Sequence, residues 1–215
     1  MVSKDKSEWD GWYLVRDFYK DASPFDVLTD QIRENAIDIS RKTRPEILRG
    51  MKEDNYDYLA QREVVENWLR DSAKAGGVDI RKQHPVYFTL TRDPESFARK
   101  YRTDNRKAII IPASEVDMSA LSFTWDDSFP NYRVAQSGEE LEVFKSPLHG
   151  KVLNAKQVAA AVKKYGEPKV DNPDMYRYIE AQMWDKPALT DFPHAVIHDV
   201  KPPAMHRAPV AKVSP

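Results

Sequence analysis

The chain has no cysteine. That absence removes disulfide bridges, zinc–thiolate sites and thiol nucleophiles together, and it agrees with a reducing compartment. Long apolar runs are missing too. None approaches the roughly 20 residues that span a bilayer. The opening segment MVSKDKSEWDGW lacks the apolar stretch of a signal peptide. The expected location is therefore the cytoplasm, with no membrane partner. Neither sign of charge dominates, since the formal net charge is −1. The familiar chemistry-bearing motifs are also absent: there is no GxGxxG, P-loop, HExxH or GxSxG. His194 and His198 have the spacing that shares a metal on a helix. They fall where the sequence reads as loop and strand, so no metal is expected.

The 215 residues suit one domain with a real core. Residues 1–10 read as a flexible terminus and 11–200 as the folded domain. Residues 201–215 hold four prolines and no packing pattern, and read as a disordered tail. A short strand at Trp12–Val15 leads to Ser23-Pro24, a helix start with Asp26 in capping-box position. Phe25, Leu28, Ile32 and Ala36 continue it at helical spacing. A second helix carries Tyr58, Val65, Trp68 and Leu69 and stops at Gly76-Gly77. Strands follow at 85–90, 108–111 and 121–125, with a helix opened by Pro94 between the first two. Residues 133–153 are weakly patterned, with a strand at 141–144. Asn154 and Gln157 pair at the start of another helix, and strands at 178–184 and 195–200 complete the domain. Scattered strands and helices without a regular βαβ array give an α+β fold class.

Charge is locally uneven. Arg41, Lys42, Arg44 and Arg49 form one basic stretch; Arg99, Lys100, Arg102, Arg106 and Lys107 form another. Such runs either contact phosphates or form a solvated surface.

The most informative segment is Arg177-Tyr178-Ile179-Glu180-Ala181-Gln182-Met183-Trp184. Strand periodicity puts Ile179, Ala181 and Met183 on one face and Tyr178, Glu180, Gln182 and Trp184 on the other. The second face joins a carboxylate and an amide to two aromatics. It reads either as the wet side of an edge strand or as a site.

The order of segments resembles the DarT-like ADP-ribosyltransferases, which transfer ADP-ribose from NAD to bases in DNA. The resemblance covers most of residues 11–200. It runs from Trp12-Tyr13-Leu14-Val15-Arg16 and the segment 24–37 through Gly76-Gly77 to His84-Pro85-Val86-Tyr87-Phe88-Thr89-Leu90-Thr91-Arg92-Asp93-Pro94. It continues through Ala108–Ile111 and Ser122-Phe123-Thr124-Trp125-Asp126-Asp127 to the Arg177–Trp184 strand, Pro187 and 195–200. Leu14 stands where the family's first strand carries a histidine. The strand after the family's Phe-Thr-Asp turn has no counterpart.

The resemblance implies a split pair of small antiparallel sheets with flanking helices, and NAD, as co-substrate, in the cleft between them. Glu180 takes the catalytic place, stabilising positive charge at the ribose and accepting a proton from the nucleophile. Arg92 joins it as the pyrophosphate contact. Cofactor-binding roles fall to Tyr13 or Tyr87 against nicotinamide, to Thr89, Thr91 and Gln182 by hydrogen bonding, and to Arg16 as a first-strand arginine. Core packing is the alternative for the tyrosines, and β propensity for the threonines. Arg41, Lys42, Arg44, Arg99, Lys100 and Arg102 would hold a nucleic acid, with single-stranded DNA favoured. The implied activity is mono-ADP-ribosyl transfer to a nucleic-acid base, in a toxin or phage-defence setting, with an antitoxin or target protein as a further partner. A protein acceptor, NAD glycohydrolysis and a non-enzymatic binding module of the same fold are the alternatives.

Overall fold

The computed structural model describes residues 8–31, 58–100, 106–138, 145–168 and 177–199. Among the described residues the strands are β1 (Tyr13–Tyr19), β2 (Val86–Thr91), β3 (Arg106–Pro112), β4 (Leu121–Trp125), β5 (Leu153–Asn154), β6 (Ile179–Met183) and β7 (Val196–Asp199). The α-helices among them are α1 (Tyr58–Ala75), α2 (Pro94–Lys100), α3 (Ser128–Ser137) and α4 (Ala155–Tyr165). The α+β class holds. The strands form one antiparallel sheet in the order β5-β4-β6-β2-β1-β3-β7. The expected division into two sheets is not seen among the described strands. β2 pairs with β1 on one side and with β6 on the other, so the ladder continues across the middle. No described helix is long and apolar enough to cross a membrane.

One face of the sheet carries the main core. Leu14, Phe88, Ile109, Phe123 and Ala181 point into it, and Val158 and Ala161 of α4 cover it. α4 starts at the expected capping box, in which Asn154 Oδ1 accepts from Gln157 N at 3.0 Å and Gln157 Oε1 from Asn154 N at 2.9 Å. The opposite face is divided. Val15, Ala108 and Ile110 pack with Tyr13 and Phe97 at the β1–β3 side. Val65, Leu69, Ala73 and Trp184 pack with Phe129 and Tyr132 under α1 and α3. The middle of β6 lies between these two clusters.

Two local outcomes differ from the sequence expectation. Ser23 and Asp26 do make reciprocal contacts: Ser23 N donates to Asp26 Oδ2 at 3.0 Å, and Asp26 N to the Ser23 carbonyl at 3.2 Å. The chain then extends at Val27 (φ −123°, ψ 135°) and makes only a 3-10 turn at Leu28–Asp30. Both Phe25 and Val27 pack into the main core. Residues two apart share a side in extended chain and not in a helix, so burial wins over helical spacing here. The remainder of that expected helix, 32–37, lies outside the described residues, as does the strand expected at 141–144.

α3 is the second difference, a helix that runs into the stretch from residue 133 whose sequence is weakly patterned. Asp127 caps it by accepting from Phe129 N at 2.8 Å. Pro130 falls in the first turn, where an N–H would have no intrahelical acceptor. α1 ends as expected at Gly76-Gly77. Gly77 N bonds the Lys74 carbonyl and Val78 N the Ala73 carbonyl, with Gly77 at φ +80°.

Candidate active site

β6 holds the site because it is an interior strand. Thr89 of β2 and Thr124 of β4 both stand opposite Glu180, and Tyr87 and Ser122 both stand opposite Gln182. The alternation expected from sequence is present. Ile179, Ala181 and Met183 enter the main core, and Trp184 joins the cluster on the other face. The edge-strand alternative fails, since β6 is paired on both sides. Glu180 is 6% exposed and Gln182 0%.

A buried carboxylate needs partners, and these are identifiable. Gln182 Nε2 donates to Glu180 Oε1 at 3.0 Å and lies 3.2 Å from Thr124 Oγ1. Gln182 Oε1 accepts from Ser122 Oγ at 2.8 Å, and Ser122 Oγ accepts from Trp184 Nε1 at 2.8 Å. The chain Trp184–Ser122–Gln182 thus fixes the amide so that its donor end meets Glu180. On the other side, Tyr178 Oη lies 3.4 Å from Glu180 Oε2 and 3.1 Å from Asp127 Oδ2. The buried Ser128 hydroxyl makes no well-formed hydrogen bond, but it lies close enough to the carboxylate to favour its charged form. Burial pushes the Glu180 carboxyl up and Asp127 adds to the rise. Arg62, Ser128 and Gln182 pull the other way, and the balance takes it from 4.5 to about 7.

The turn after β4 anchors this arrangement. Asp126 stands at φ +71°, the single non-glycine residue with positive φ among those described. Its amide donates to the Tyr178 carbonyl at 2.8 Å. Its carboxylate accepts from Tyr178 N at 3.3 Å and Arg177 Nη2 at 3.0 Å, and meets His149 Nε2 at 2.9 Å. Burial raises the Asp126 carboxyl, but His149 and Arg177 outweigh it and hold the group below its ordinary value. The strained turn therefore positions Tyr178 and Asp127 together.

A second network closes the α1 side. Glu66 is 0% exposed. It accepts from Arg62 Nε at 3.1 Å and from Tyr87 Oη at 3.2 Å, and it meets His84 Nδ1 at 2.7 Å. The Arg62 guanidinium carbon lies 3.7 Å from the centre of the Tyr87 ring. Burial works against the Arg62 charge, but Tyr87, Tyr58, Glu180 and Glu66 together hold it firmly protonated. Burial and the two glutamates keep the Tyr87 hydroxyl neutral despite Arg62.

No family model, curated protein or solved structure matches this chain.

The residues singled out from sequence divide between the two faces. Glu180, Thr89, Tyr87, Tyr13 and Gln182 share a face. Thr89 is 6% exposed and directly opposite Glu180. Tyr13 packs with Val15, Ile110 and Phe97. Gln182 is committed at both ends to protein partners and is sealed from solvent, with its donor end held on Glu180 and Thr124. Thr91 Oγ1 accepts from Asp93 N at 3.0 Å. Arg92 is not brought to Glu180. It stacks on Trp12 with its guanidinium carbon 4.5 Å from the ring centre and faces Glu167 at 3.8 Å. Trp12 belongs to the core on the far face. Arg16 shares that far face with Leu14 and Phe18, two residues away on either side, and its guanidinium donates to the Asp26 carbonyl.

Arg41, Lys42, Arg44 and Arg102 lie outside the described residues. Arg99 and Lys100 close α2. His194 pairs with Glu115 and His198 with Glu95, and no metal-binding group of three occurs among the described residues. Sequence reasoning missed Arg62, Asp127 and Ser128. Asp127 and Ser128 follow the strand that faces Glu180, which is a usable signal once β4 and β6 are paired. Arg62 sits on an amphipathic helix with no local motif to mark it.

Proposed function

We propose that the chain is an NAD-dependent mono-ADP-ribosyltransferase of the DarT-like kind, acting on a nucleic-acid base, with Glu180 as its catalytic residue. The observation that carries this reading is the Glu180 carboxylate itself. It is buried at the meeting of three strands, flanked by Thr89 and Thr124, and poised near neutrality. Breaking the bond between ribose and nicotinamide develops positive charge at the ribose. An ionised carboxylate in a low-dielectric site stabilises that charge strongly. The cationic nicotinamide ring of NAD, seated beside Glu180, also lowers its pKa, so that contact drives the group into its useful form. A carboxylate that titrates near working pH is then suited to take the proton of the incoming nucleophile.

Arg62 supplies a cation beside Glu180 on this face. It takes the role first assigned to Arg92 toward the pyrophosphate, because a planar guanidinium donates in parallel to phosphate oxygens. Tyr13, Tyr178 and Phe97 offer aromatic surface for nicotinamide on the same face. The basic stretches at 41–49 and 99–107 support a nucleic-acid acceptor. An ADP-ribosyltransferase-like fold is part of the proposal.

The test is to incubate the protein with NAD and a mixture of single-stranded DNA, duplex DNA and RNA, and to weigh the products. The expected result is one ADP-ribose unit on the nucleic acid, lost in Glu180→Gln, whose fold and NAD binding persist. Unchanged turnover in that variant removes Glu180 from the reaction. Free ADP-ribose alone redirects the reading to a glycohydrolase. Transfer seen only when cell extract is added redirects it to a protein acceptor. No NAD consumption at all leaves a non-enzymatic binding module.

A further inference from the structure

The hydroxyl of Tyr178 touches two carboxylates, 3.1 Å from Asp127 Oδ2 and 3.4 Å from Glu180 Oε2. A phenol carries one proton and can donate to only one of them. The other contact is a hydrogen bond only when a carboxyl brings its own proton. Of the two, Glu180 is the buried one and Asp127 the more exposed. Asp127 also divides its oxygens: Oδ1 accepts from Phe129 N at 2.8 Å as the cap of α3, and Oδ2 faces Tyr178. Tyr178 is held at both ends. Its backbone is tied to Asp126, and its ring packs edge-on to Phe97 with centroids 6.0 Å apart.

We propose that Tyr178 and Asp127 form the proton outlet of Glu180, passing the acceptor's proton from the buried carboxyl to solvent. The proposal rests on the transferase reading given above. The step balances as follows. The nucleophile's lone pair forms a bond to the anomeric carbon of the ribose. The bond to nicotinamide breaks and its electron pair leaves with the now neutral base. The nucleophile's proton moves to Glu180. Glu180 Oε2 then gives that proton to Tyr178 Oη while Tyr178 gives its own to Asp127 Oδ2. Asp127 releases it to water, which restores every group. Tyr178 and Asp127 are positioning residues, since they act through Glu180.

The carboxyl of Glu180 is raised first by burial and next by the nearby charge of Asp127. Among the described residues, the charged or titratable groups facing it are Asp127 from the turn before α3, Arg62 from α1, Tyr87 from β2 and Tyr178 from its own strand end.

The test follows Glu180 directly in protein labelled with carbon-13 at the glutamate carboxyls. The resonance is identified by its loss in Glu180→Gln. Asp127→Asn keeps a good helix cap, and Tyr178→Phe keeps the ring contact with Phe97. Removing the Asp127 charge is expected to lower the Glu180 midpoint by about one pH unit. The acid limb of kcat against pH should move with it. Tyr178→Phe is expected to lower kcat about tenfold with KM for NAD unchanged. An unmoved midpoint in Asp127→Asn, or wild-type kcat in Tyr178→Phe, overturns the proposal. A moved midpoint without NAD turnover in the wild type overturns the transferase reading and supports the shared proton on its own.

Discussion

The two faces of the sheet are built on opposite principles. On the α4 face, Leu14, Phe88, Phe123, Ile179 and Met183 form one continuous apolar core. On the other face two apolar clusters stand apart, and Ser122, Thr124, Glu180 and Gln182 fill the interval, each no more than 6% exposed. Apolar burial is non-directional and stabilises in proportion to area. A buried polar row stabilises only if every donor and acceptor is met, and a charge within it costs more still. The first face explains why the chain folds. The second is a departure from the most stable arrangement, concentrated on one residue, and such departures cluster at functional sites.

The largest break in that comparison should come from the apolar face. Phe123 is fully buried and stacks on Trp9 with ring centroids 6.3 Å apart. Phe123→Ala removes that packing and leaves a cavity, at an expected cost of about 3–5 kcal/mol. Urea unfolding measures it as a fall in midpoint at unchanged slope. A loss below about 1 kcal/mol would mean that this face is not the principal core.

The polar face should answer in the reverse sense. The folded-state pKa of Glu180 lies above its unfolded value, from 4.5 to about 7. The folded state therefore binds the extra proton between those values. Its stabilising contribution is complete below pH 4.5 and is lost as pH rises through 7. Glu180→Gln imitates the protonated form at every pH. The variant should match the wild type near pH 4 and exceed it near pH 8 by up to about 3 kcal/mol, while losing transfer. A stability difference that does not depend on pH would show that Glu180 titrates like an exposed carboxyl.

Much of the fold was legible because its signals are local. The alternation along Tyr178–Trp184, the Asn154–Gln157 pair and the Gly76-Gly77 stop each declare themselves within a few residues. The site was legible only in its centre. Glu180 is marked by its strand, but Arg62 reaches it from a helix more than a hundred positions away, and nothing in α1's own sequence announces that. Arg92 and Arg16 show the converse error. Each neighbours a residue of the correct face, yet strand alternation carries the arginine through the sheet to the other side. The turn at 24–31 went unread because core burial of Phe25 and Val27 overrode a helix-start signal whose hydrogen bonds nonetheless form.

The smallest expected effect tests the hinge between the two faces. Asp126 passes the chain from β4, which lines both, to the cap of α3. It does so at a positive φ that asparagine also tolerates. Asp126→Asn keeps the turn and some hydrogen bonds but removes the charge that meets Arg177 and His149. Its folded-state pKa is depressed, so its contribution is present above the unfolded pKa and lost as pH falls through the folded one. The variant should be less stable by about 1–2 kcal/mol at pH 7, with the gap closing in acid. That slope is opposite in sign to the one expected at Glu180. If Asp126 serves only stability, transfer by the variant is unchanged once it is folded. If the turn aligns Tyr178 and Asp127 with Glu180, kcat falls beyond what the folded fraction accounts for, and the strain at this turn belongs to the site.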